Sequence, residues 1–330
     1  MEVSMAKCTK PETFKPLIIK AHDCIVEHIR ETPSITLAKG AFGIDAQLTL
    51  KLEMLQHSGS FKARGAFSRM VQSTLPEAGV IAASGGNHGA AVAYAARKLG
   101  CPAEIFVPEI SSPTKVQRLK DYGATVRIGG RDYFDALATS EKRAAKTGGL
   151  VVHAFNQPEV IAGQGTVALE LEKQVPDLDT VLVSVGGGGL IGGIAAWYQG
   201  RCQVVGIEPE RCPSLYAAIA SNEPVDVEVG GITADALGAR RVGELMFAIA
   251  QKYVEKVVLV DESAIVQAQQ RLWEELRVVA EPASVVSLAA LISGRYQPAP
   301  GERIGLIICG ANTDLSSFGQ LPAASGALEG

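Results

Sequence analysis

The sequence lacks the features that would place the protein in a membrane or on a nucleic acid. No apolar run approaches the ~20 residues that a membrane span needs, and the N-terminus, MEVSMAKCTKPETFK, has no continuous apolar core of a secretory signal. Lysine and arginine form no run, and 31 of them stand against 35 acidic residues, for a net charge of −4. Binding to a phosphate backbone needs a basic patch. We therefore expect no nucleic-acid partner and no membrane partner.

Cysteine and histidine are too few and too irregularly spaced to form a disulfide framework or a zinc site. The five histidines match no zinc motif. The six cysteines form no CxxC pair: Cys8, Cys24, Cys101, Cys202, Cys212 and Cys309. We interpret them as reduced thiols, which favours a cytoplasmic protein.

Short apolar runs alternate with helix-like segments along most of the chain. The strand-like runs are VIAAS (80–84), AEIFVP (103–108), ATVRIG (124–129), LVVHAF (150–155), TVLVSV (180–185), QVVGIEP (203–209), KVVLVDE (256–262) and RIGLIICG (303–310). Helix-like segments cover about 87–100, 112–122, 132–146, 158–174 and 263–279. This order predicts parallel βαβ units, and hence an α/β protein with two open, twisted sheets.

Two glycine-rich stretches each follow a predicted strand and precede a predicted helix. The four glycines at 186–189 let backbone N–H groups approach an anion at a helix N-terminus, which predicts a phosphate site. A tight turn is the alternative. The stretch SGGNH (84–88) offers N–H groups and an asparagine to a carboxylate, although asparagine is also a common helix N-cap. Because ligands bind at the carboxyl ends of parallel strands, the two loops can serve one ligand.

A lysine lies in an unusual setting in the stretch SGSFKARGAF (58–67). Its neighbours are small or apolar, whereas a lysine in this context is more often a surface charge. In combination with a phosphate loop and a carboxylate loop, Lys62 suggests a Schiff base with a phosphorylated aldehyde.

Five motifs occur in a fixed order over nearly the whole chain: SFKARGA (60–66), SGGNHG (84–89), IAGQGT (161–166), SVGGGGL (184–190) and CGANTD (309–314). This set resembles the fold-type II pyridoxal-phosphate enzymes, and within them the serine/threonine dehydratase–serine racemase family. The resemblance implies a tryptophan synthase β-like fold in a homodimer. It also implies a large cofactor-binding domain (1–77 and 153–330) and a small mobile domain (78–152).

The resemblance also implies roles for individual residues. Lys62 would form the Schiff base with pyridoxal 5′-phosphate, Phe61 would pack on its ring, and Asn87 would bind the ring hydroxyl. The cofactor phosphate would be bound by Gly186, Gly187, Gly188 and Gly189, and the substrate carboxylate by Ser84, Gly85, Gly86, Asn87 and His88. Cys309 would face the pyridine nitrogen. A thiol is a weak, near-neutral partner, so the ring nitrogen would stay largely unprotonated, which favours loss of a β-leaving group over a long-lived carbanion.

The reaction that this resemblance implies is β-elimination of L-threonine, L-serine or a related β-hydroxy amino acid to a 2-oxo acid and ammonia. Lys62, with a pKa lowered by burial, would take the α-proton. 3-Hydroxyaspartate and bulkier substrates stay open.

Three alternatives to this reaction follow from the same residues. A serine racemase is the nearest, but racemases carry a serine where this chain has Gly85, so that Ser84 would have to replace it. A β-replacement synthase usually has an SGNTG-like loop instead of SGGNHG. A simple ligand-binding module would leave Lys62 and Cys309 without a role.

The resemblance points to further candidates around the site. A cation would be bound by Glu208, the carbonyl of Cys212 and Ser214, and the neutral serine favours a monovalent ion such as K⁺; a solvated loop glutamate is the alternative. Candidates for the substrate pocket are His57, Tyr133, His153 and Asn156, and a structural role is the alternative for each of them. Because the chain ends soon after CGANTD, we expect no C-terminal regulatory domain of the kind that biosynthetic threonine dehydratases carry.

Overall fold

The computed structural model describes residues 10–318. The strands are β1 (Ser34–Leu37), β2 (Gln47–Lys51), β3 (Val80–Ala83), β4 (Ala103–Val107), β5 (Thr125–Ile128), β6 (Leu150–Val151), β7 (Thr180–Ser184), β8 (Gln203–Pro209), β9 (Lys256–Val260) and β10 (Arg303–Ile307). The α-helices are α1 (Phe14–Ile25), α2 (Lys62–Val71), α3 (Asn87–Leu99), α4 (Pro113–Asp121), α5 (Tyr133–Thr147), α6 (Pro158–Gln174), α7 (Gly189–Tyr198), α8 (Ser214–Ser221), α9 (Ala234–Leu237), α10 (Glu244–Tyr253), α11 (Glu262–Leu276) and α12 (Val286–Ile292). None of these helices is long and apolar enough to cross a membrane.

The larger sheet has six strands in the order β1-β2-β10-β7-β8-β9, and all pairs are parallel except β1 with β2. Successive residues of its central strand point to opposite faces, as the strand period of two requires. Val181 and Val183 pack with α1, α6, α7 and α10, whereas Leu182 packs with α11 and α12. Both faces are therefore covered, which explains why the central strands read as continuous apolar runs.

The smaller sheet has four parallel strands in the order β5-β4-β3-β6. One face packs against α2, α3 and α4, and the other packs against α5. Five alanines of α3 are buried: Ala90, Ala91, Ala93, Ala95 and Ala96. Because their side chains are short, this helix lies close to the sheet. The two separate sheets agree with the predicted large and small domains, but the domain boundaries and the mobility of the small domain stay predictions.

The predicted architecture of two open, mostly parallel sheets is confirmed, and several details differ. The predicted strand 150–155 is reduced to two residues, because after Val152 the backbone turns to side-chain partners such as Gln157. The strands β1 and β2 were not predicted from the sequence, because strands of four and five residues give little periodic signal. Five cysteines of the described residues are free, as predicted; Cys8 lies outside those residues.

Candidate active site

A cavity of about 650 Å³ opens where the carboxyl ends of β3 and β7 face each other. Every residue predicted to bind the cofactor or the substrate carboxylate lines it: Phe61, Lys62, Ser84, Gly85, Gly86, Asn87, His88, Gly186, Gly187, Gly188, Gly189 and Cys309. Segments separated by more than two hundred residues in the sequence therefore meet in one place. The predicted cation ligands, by contrast, do not line the cavity.

Lys62 is the first residue of α2, and its amine lies inside the cavity. Its Nζ donates a hydrogen bond to the carbonyl of Ala154 at 2.9 Å and lies 5.2 Å from the centre of the Phe61 ring. Burial lowers the pKa of Lys62 to about 8, although the Cys309 and Glu281 side chains act in the opposite direction. The amine therefore becomes neutral, and hence nucleophilic and basic, near physiological pH.

A buried ionic cluster fixes the helix that carries this lysine. The Arg64 side chain is fully buried and forms charged hydrogen bonds of 2.7–2.8 Å with Glu53 and Glu170. Lys51 contributes a second cation, 2.9 Å from Glu170. Two cations and two carboxylates balance, so no charge is left unpaired, and removal of one member would leave a buried charge without a partner. The cluster joins α2 to β2 and α6, and no local pattern predicts it, because its members lie far apart along the chain.

The glycine loop at 186–189 presents backbone N–H groups to the cavity. The carbonyls of Gly186, Gly187 and Gly188 accept hydrogen bonds from Ser214 Oγ (3.1 Å), Gly243 N (3.2 Å) and Gly192 N (2.8 Å), respectively. Within residues 10–318, the N–H groups of the four glycines donate to no protein acceptor. These free donors lie at the start of α7, where the helix dipole also favours an anion.

The packing of the loop explains why these positions are glycine. Gly188 has φ +92°, and a Cβ there would lie 1.9 Å from Met246 Cε. A Cβ on Gly187 would lie 2.3 Å from the Phe155 ring. Any larger residue would force these buried neighbours to move.

Ser184, the last residue of β7, was missed as a site residue by sequence reasoning. It lines the cavity, and its buried Oγ has no hydrogen-bond partner among the described residues. A buried hydroxyl without a partner is costly, and since Ser184 lines the cavity its hydroxyl is available to a ligand there. Its position two residues before the first loop glycine was the signal that could have identified it.

The second loop, at 84–88, lies on the smaller sheet and leaves its own N–H groups available. In the part of the chain that the structure describes, the N–H groups of Gly85, Asn87 and His88 have no protein acceptor. Burial lowers the pKa of His88 to about 3, and its ring Nε2 lies 2.8 Å from the carbonyl of Val152. The imidazole is therefore neutral. A carboxylate would be held by backbone dipoles, with no positive charge from this ring.

Asn87 belongs to a hydrogen-bonded network with two residues that sequence reasoning missed, Glu281 and Asn312. Its Nδ2 donates to Glu281 Oε1 at 2.7 Å, and its Oδ1 accepts from Asn312 Nδ2 at 2.6 Å. Burial raises the pKa of Glu281 to about 7. Neither partner could be connected to Asn87 from the sequence, since they lie 194 and 225 positions away.

Cys309 lies two residues after the last strand, Arg303–Ile307, and lines the cavity. Its Sγ lies 3.2 Å from Ser284 Oγ. Burial raises the pKa of the Cys309 thiol to about 12. The group that would face the pyridine nitrogen is therefore a neutral thiol.

Of the four candidates for the substrate pocket, Tyr133 alone lines the cavity. The other three do not line it, and their polar atoms have protein partners, as in the structural role that was the alternative. His57 Nδ1 bonds Tyr94 Oη at 3.0 Å, and His153 Nδ1 accepts the backbone N–H groups of residues 155 and 156. Asn156 Oδ1 accepts the N–H of Leu245 at 3.4 Å.

Glu208 lies behind the glycine loop and binds the first turn of α8. Its carboxylate accepts the N–H groups of Leu215 and Tyr216, both at 2.8 Å, and lies 3.2 Å from Ser214 Oγ. The Cys212 side chain points to the carbonyl of Gly230, with its Sγ at 3.3 Å. Residues 10–318 contain no group of three His, Cys, Asp or Glu side chains that could hold a metal ion.

Comparison with known proteins agrees with this geometry. The family model described as "Pyridoxal-phosphate dependent enzyme" matches residues 25–310. The chain belongs to this family. It is 36% identical to an L-threonine ammonia-lyase of Thermotoga maritima, over 83% of this chain and 69% of that protein. It is 34% identical to a phenylserine dehydratase of Ralstonia pickettii, over 82% and 84% of the two chains. Maize serine racemase has the same fold, with a TM-score of 0.86, 32% identity, and coverage of 92% and 94%.

The residues of this pyridoxal-phosphate-dependent enzyme fit the cofactor of its family. A phosphate would be bound by the free N–H groups of the glycine loop and complete the unpartnered hydroxyl of Ser184. Lys62 supplies an amine that is neutral near pH 8 for the aldehyde. Phe61, with 9% of its surface exposed, offers an apolar face beside that amine.

Proposed function

We propose that the protein is an ammonia-lyase that eliminates the β-hydroxyl of L-threonine, L-serine or a related amino acid and releases a 2-oxo acid and ammonia. The observation that carries the proposal is the position of Lys62, an amine with a pKa of about 8 between the free N–H groups of two loops. One loop suits a phosphate and the other suits a carboxylate. The threonine ammonia-lyase and phenylserine dehydratase relatives support the same reaction class.

Pyridoxal phosphate, when bound, supplies an electron sink for the α-carbon of the substrate amine. The N–H groups of Gly85, Asn87 and His88 would orient the substrate carboxylate. Lys62 in its neutral form would then take the α-proton, since it is a base with a pKa close to the working pH. Loss of the β-hydroxyl with one proton gives water, and the released enamine hydrolyses to the 2-oxo acid and ammonia.

Cys309 favours elimination over reactions that need a long-lived carbanion. With a thiol pKa of about 12, it can neither protonate nor deprotonate a ring nitrogen at neutral pH. Of its charged neighbours, Glu281 raises the pKa of the thiol further and Lys62 lowers it, and burial has the largest effect. The electron sink would be weaker than one with an ionised partner, so fast departure of the leaving group is needed.

The cavity favours a neutral β-substituent over an acidic one. Lys115 and Arg131 lie at its mouth, but they form ion pairs with Asp235 and Asp135. No unpaired cation among the lining residues is therefore placed to bind the second carboxylate of 3-hydroxyaspartate, apart from Lys62 itself. The volume of about 650 Å³ admits substrates larger than threonine, in line with the phenylserine dehydratase relative.

Serine racemase is the second candidate function, because maize serine racemase shares the fold over most of both chains. Racemisation needs a second proton donor on the far face of the α-carbon. Gly85 has no side chain to supply it, and a Cβ there would lie 2.9 Å from Ser111 Oγ. Ser84, which lines the cavity, is the group that would have to act instead.

We propose four further properties from the family resemblance. These are a homodimer, a cytoplasmic location, closure of residues 78–152 over the substrate, and a monovalent cation at Glu208, Cys212 and Ser214. For the cation, the buried carboxylate of Glu208 supports the proposal, although its oxygens already accept two backbone N–H groups. Exchange of K⁺ for tetramethylammonium in the assay should lower activity if this ion is bound.

The proposal is tested by incubating the purified, cofactor-loaded protein with L-threonine and with L-serine. The assay measures 2-oxo acid, ammonia and D-amino acid in the same samples, with Lys62→Ala as the inactive control. We expect equal amounts of 2-oxo acid and ammonia and no D-isomer. Substantial D-serine would favour the racemase. If the amino acid is consumed only after addition of a thiol, and neither 2-oxo acid nor ammonia is formed, the result would favour β-replacement.

A further inference from the structure

We propose that Glu281 and Asn312 are positioning residues that set the direction of the Asn87 amide, so that Asn87 offers an N–H group to the ring oxygen of the cofactor. This inference rests on the proposed cofactor site. An asparagine amide can rotate by half a turn and present either its oxygen or its nitrogen. A residue that binds a ring oxygen as a donor therefore needs partners that exclude the other orientation.

The direction of the network is fixed at one end by a backbone carbonyl. Asn312 Nδ2 donates to the carbonyl of Ser58 at 2.9 Å, and that carbonyl can only accept. The same Nδ2 then uses its second hydrogen toward Asn87, at 2.6 Å, so the atom of Asn87 that receives it must be the oxygen.

The other end of the network is fixed by a carboxylate. Glu281 Oε1 lies 2.7 Å from Asn87 Nδ2, and the same carboxylate accepts the backbone N–H of Asn312. Above its pKa of about 7 the carboxylate is ionised and can only accept, which again places nitrogen on this side of Asn87. Both ends therefore select one orientation, which leaves one N–H of Asn87 for a ligand in the cavity.

Two glycines make room for this network. A Cβ on Gly59, whose φ is +74°, would lie 2.4 Å from Asn312 Oδ1. A Cβ on Gly310 would lie 2.5 Å from Glu281 Oε1. Glu281 is buried, with 5% of its surface exposed, and the Arg118 charge lowers its pKa only in part against the effect of burial. A buried carboxylate is costly unless it is well hydrogen-bonded, and Asn87 supplies one of those hydrogen bonds.

The test is a double-mutant cycle between Asn87→Ala and Asn312→Ala, with the affinity for pyridoxal phosphate and the visible spectrum of the bound cofactor as readouts. Asn312→Ala is the main variant because it removes no charge. We expect it to weaken cofactor affinity about fivefold to tenfold, the effect of one lost hydrogen bond, and to shift the spectrum in the same direction as Asn87→Ala. In the Asn87→Ala background, it should change the affinity less than twofold.

Glu281→Gln supplies a second, independent variant. Glutamine replaces one carboxylate oxygen by an NH2 group, which can only donate, so a donor that faces this group loses its acceptor. We expect a loss of affinity similar to that of Asn312→Ala. The matched control is Glu302→Gln, because Glu302 also accepts one side-chain donor, Tyr296 Oη, and one backbone N–H, at Ala299, but lies outside the cavity. It should leave affinity and spectrum unchanged.

The inference and the proposed function fail in different ways. Additive effects of Asn87→Ala and Asn312→Ala, or an unchanged spectrum in Asn312→Ala, would overturn the inference, as would a wild-type protein that binds no pyridoxal phosphate. A coupled pair in a protein that releases no ammonia from threonine or serine would leave the inference standing and contradict the ammonia-lyase.

Discussion

The two loops of the cavity, at 84–88 and 186–189, occupy the same position between a strand and a helix but are stabilised in different ways. Each follows a parallel strand, precedes a helix and leaves backbone N–H groups free. The loop at 186–189 is almost fully buried and is held by packing against Phe155 and Met246. The loop at 84–88 is half-exposed on the smaller sheet, and its asparagine is held by hydrogen bonds to Glu281 and Asn312.

This difference suits the ligands that the loops would bind. A cofactor stays bound through many turnovers, so a rigid, buried phosphate loop is appropriate. A substrate enters and leaves in each cycle, and its loop lies on the part of the chain that we expect to move. The comparison teaches that similar N–H geometry can be built by steric packing in one place and by polar contacts in another.

The largest loss of stability should come from glycine-to-alanine substitution in the loop at 186–189, compared with the same substitution in the loop at 84–88. Gly188→Ala combines φ +92° with a Cβ 1.9 Å from Met246 Cε, so we expect it to cost about 3 kcal/mol of unfolding free energy and most of the cofactor affinity. Gly86→Ala places its Cβ 3.4 Å from the nearest atom, the carbonyl of Asp235. It should cost about 1 kcal/mol or less. Chemical denaturation and cofactor titration measure both, and equal costs would contradict the difference between the loops.

The amine between the loops should show its lowered pKa in the protein without cofactor. The neutral fraction of Lys62 rises with pH up to about 8, compared with 10.5 for an ordinary lysine. The rate at which this form captures pyridoxal phosphate should therefore rise about tenfold per pH unit below pH 8 and then level off. A lysine model compound, as the control, should continue to rise toward pH 10.5.

The same shift has a consequence for stability. Between pH 8 and 10.5 the unfolded chain binds a proton at Lys62 that the folded cofactor-free chain does not. The free energy of unfolding from this group should therefore rise with pH in that window and stay constant below about pH 8, where both states bind the proton. Lys62→Met removes this dependence, and an unchanged pH profile in that variant would show that other groups cause it.

A serine at position 85, in the loop at 84–88, should increase racemisation relative to elimination. Gly85→Ser adds a hydroxyl beside Ser111, whose Oγ can move to make room for it. We expect D-serine formation to rise about tenfold or more, the scale of a positioned general acid, while elimination falls by a smaller factor. Gly85→Ala is the control, since it adds a similar volume without a transferable proton. D-serine from the alanine variant would point to another acid.

The smallest effect should come from an ion pair at the mouth of the cavity. Lys115 on α4 pairs with Asp235 on α9, and this contact joins the smaller sheet to the segment beside the glycine loop. Because the pair is exposed, Asp235→Asn should raise KM about twofold to threefold, with less effect at high salt. Cofactor affinity should not change. Asp226→Asn, which breaks the surface pair with Arg241 outside the cavity, should leave KM unaltered.

The sequence by itself determined the fold class, the two glycine-rich loops and the lysine, because each depends on local chemistry. Parallel strands buried on both faces must be apolar runs, and a run of four glycines is kept where backbone must approach a ligand or a neighbour closely. The helix Pro158–Gln174 agrees with the prediction of about 158–174, and it begins at a proline, which is favoured in the first turn.

Only the tertiary structure decided which polar residues complete the site. Glu281 and Asn312 carry no local signal that connects them to Asn87, and no local pattern shows that His57, His153 and Asn156 lie outside the cavity. Hydrogen bonds and ion pairs act over about 3 Å in space, whatever the separation along the chain, so the partners of Asn87 and Arg64 become visible only when distant segments are folded together. The pKa values of Lys62, His88 and Cys309 were decided in the same way, because burial is a property of the whole fold.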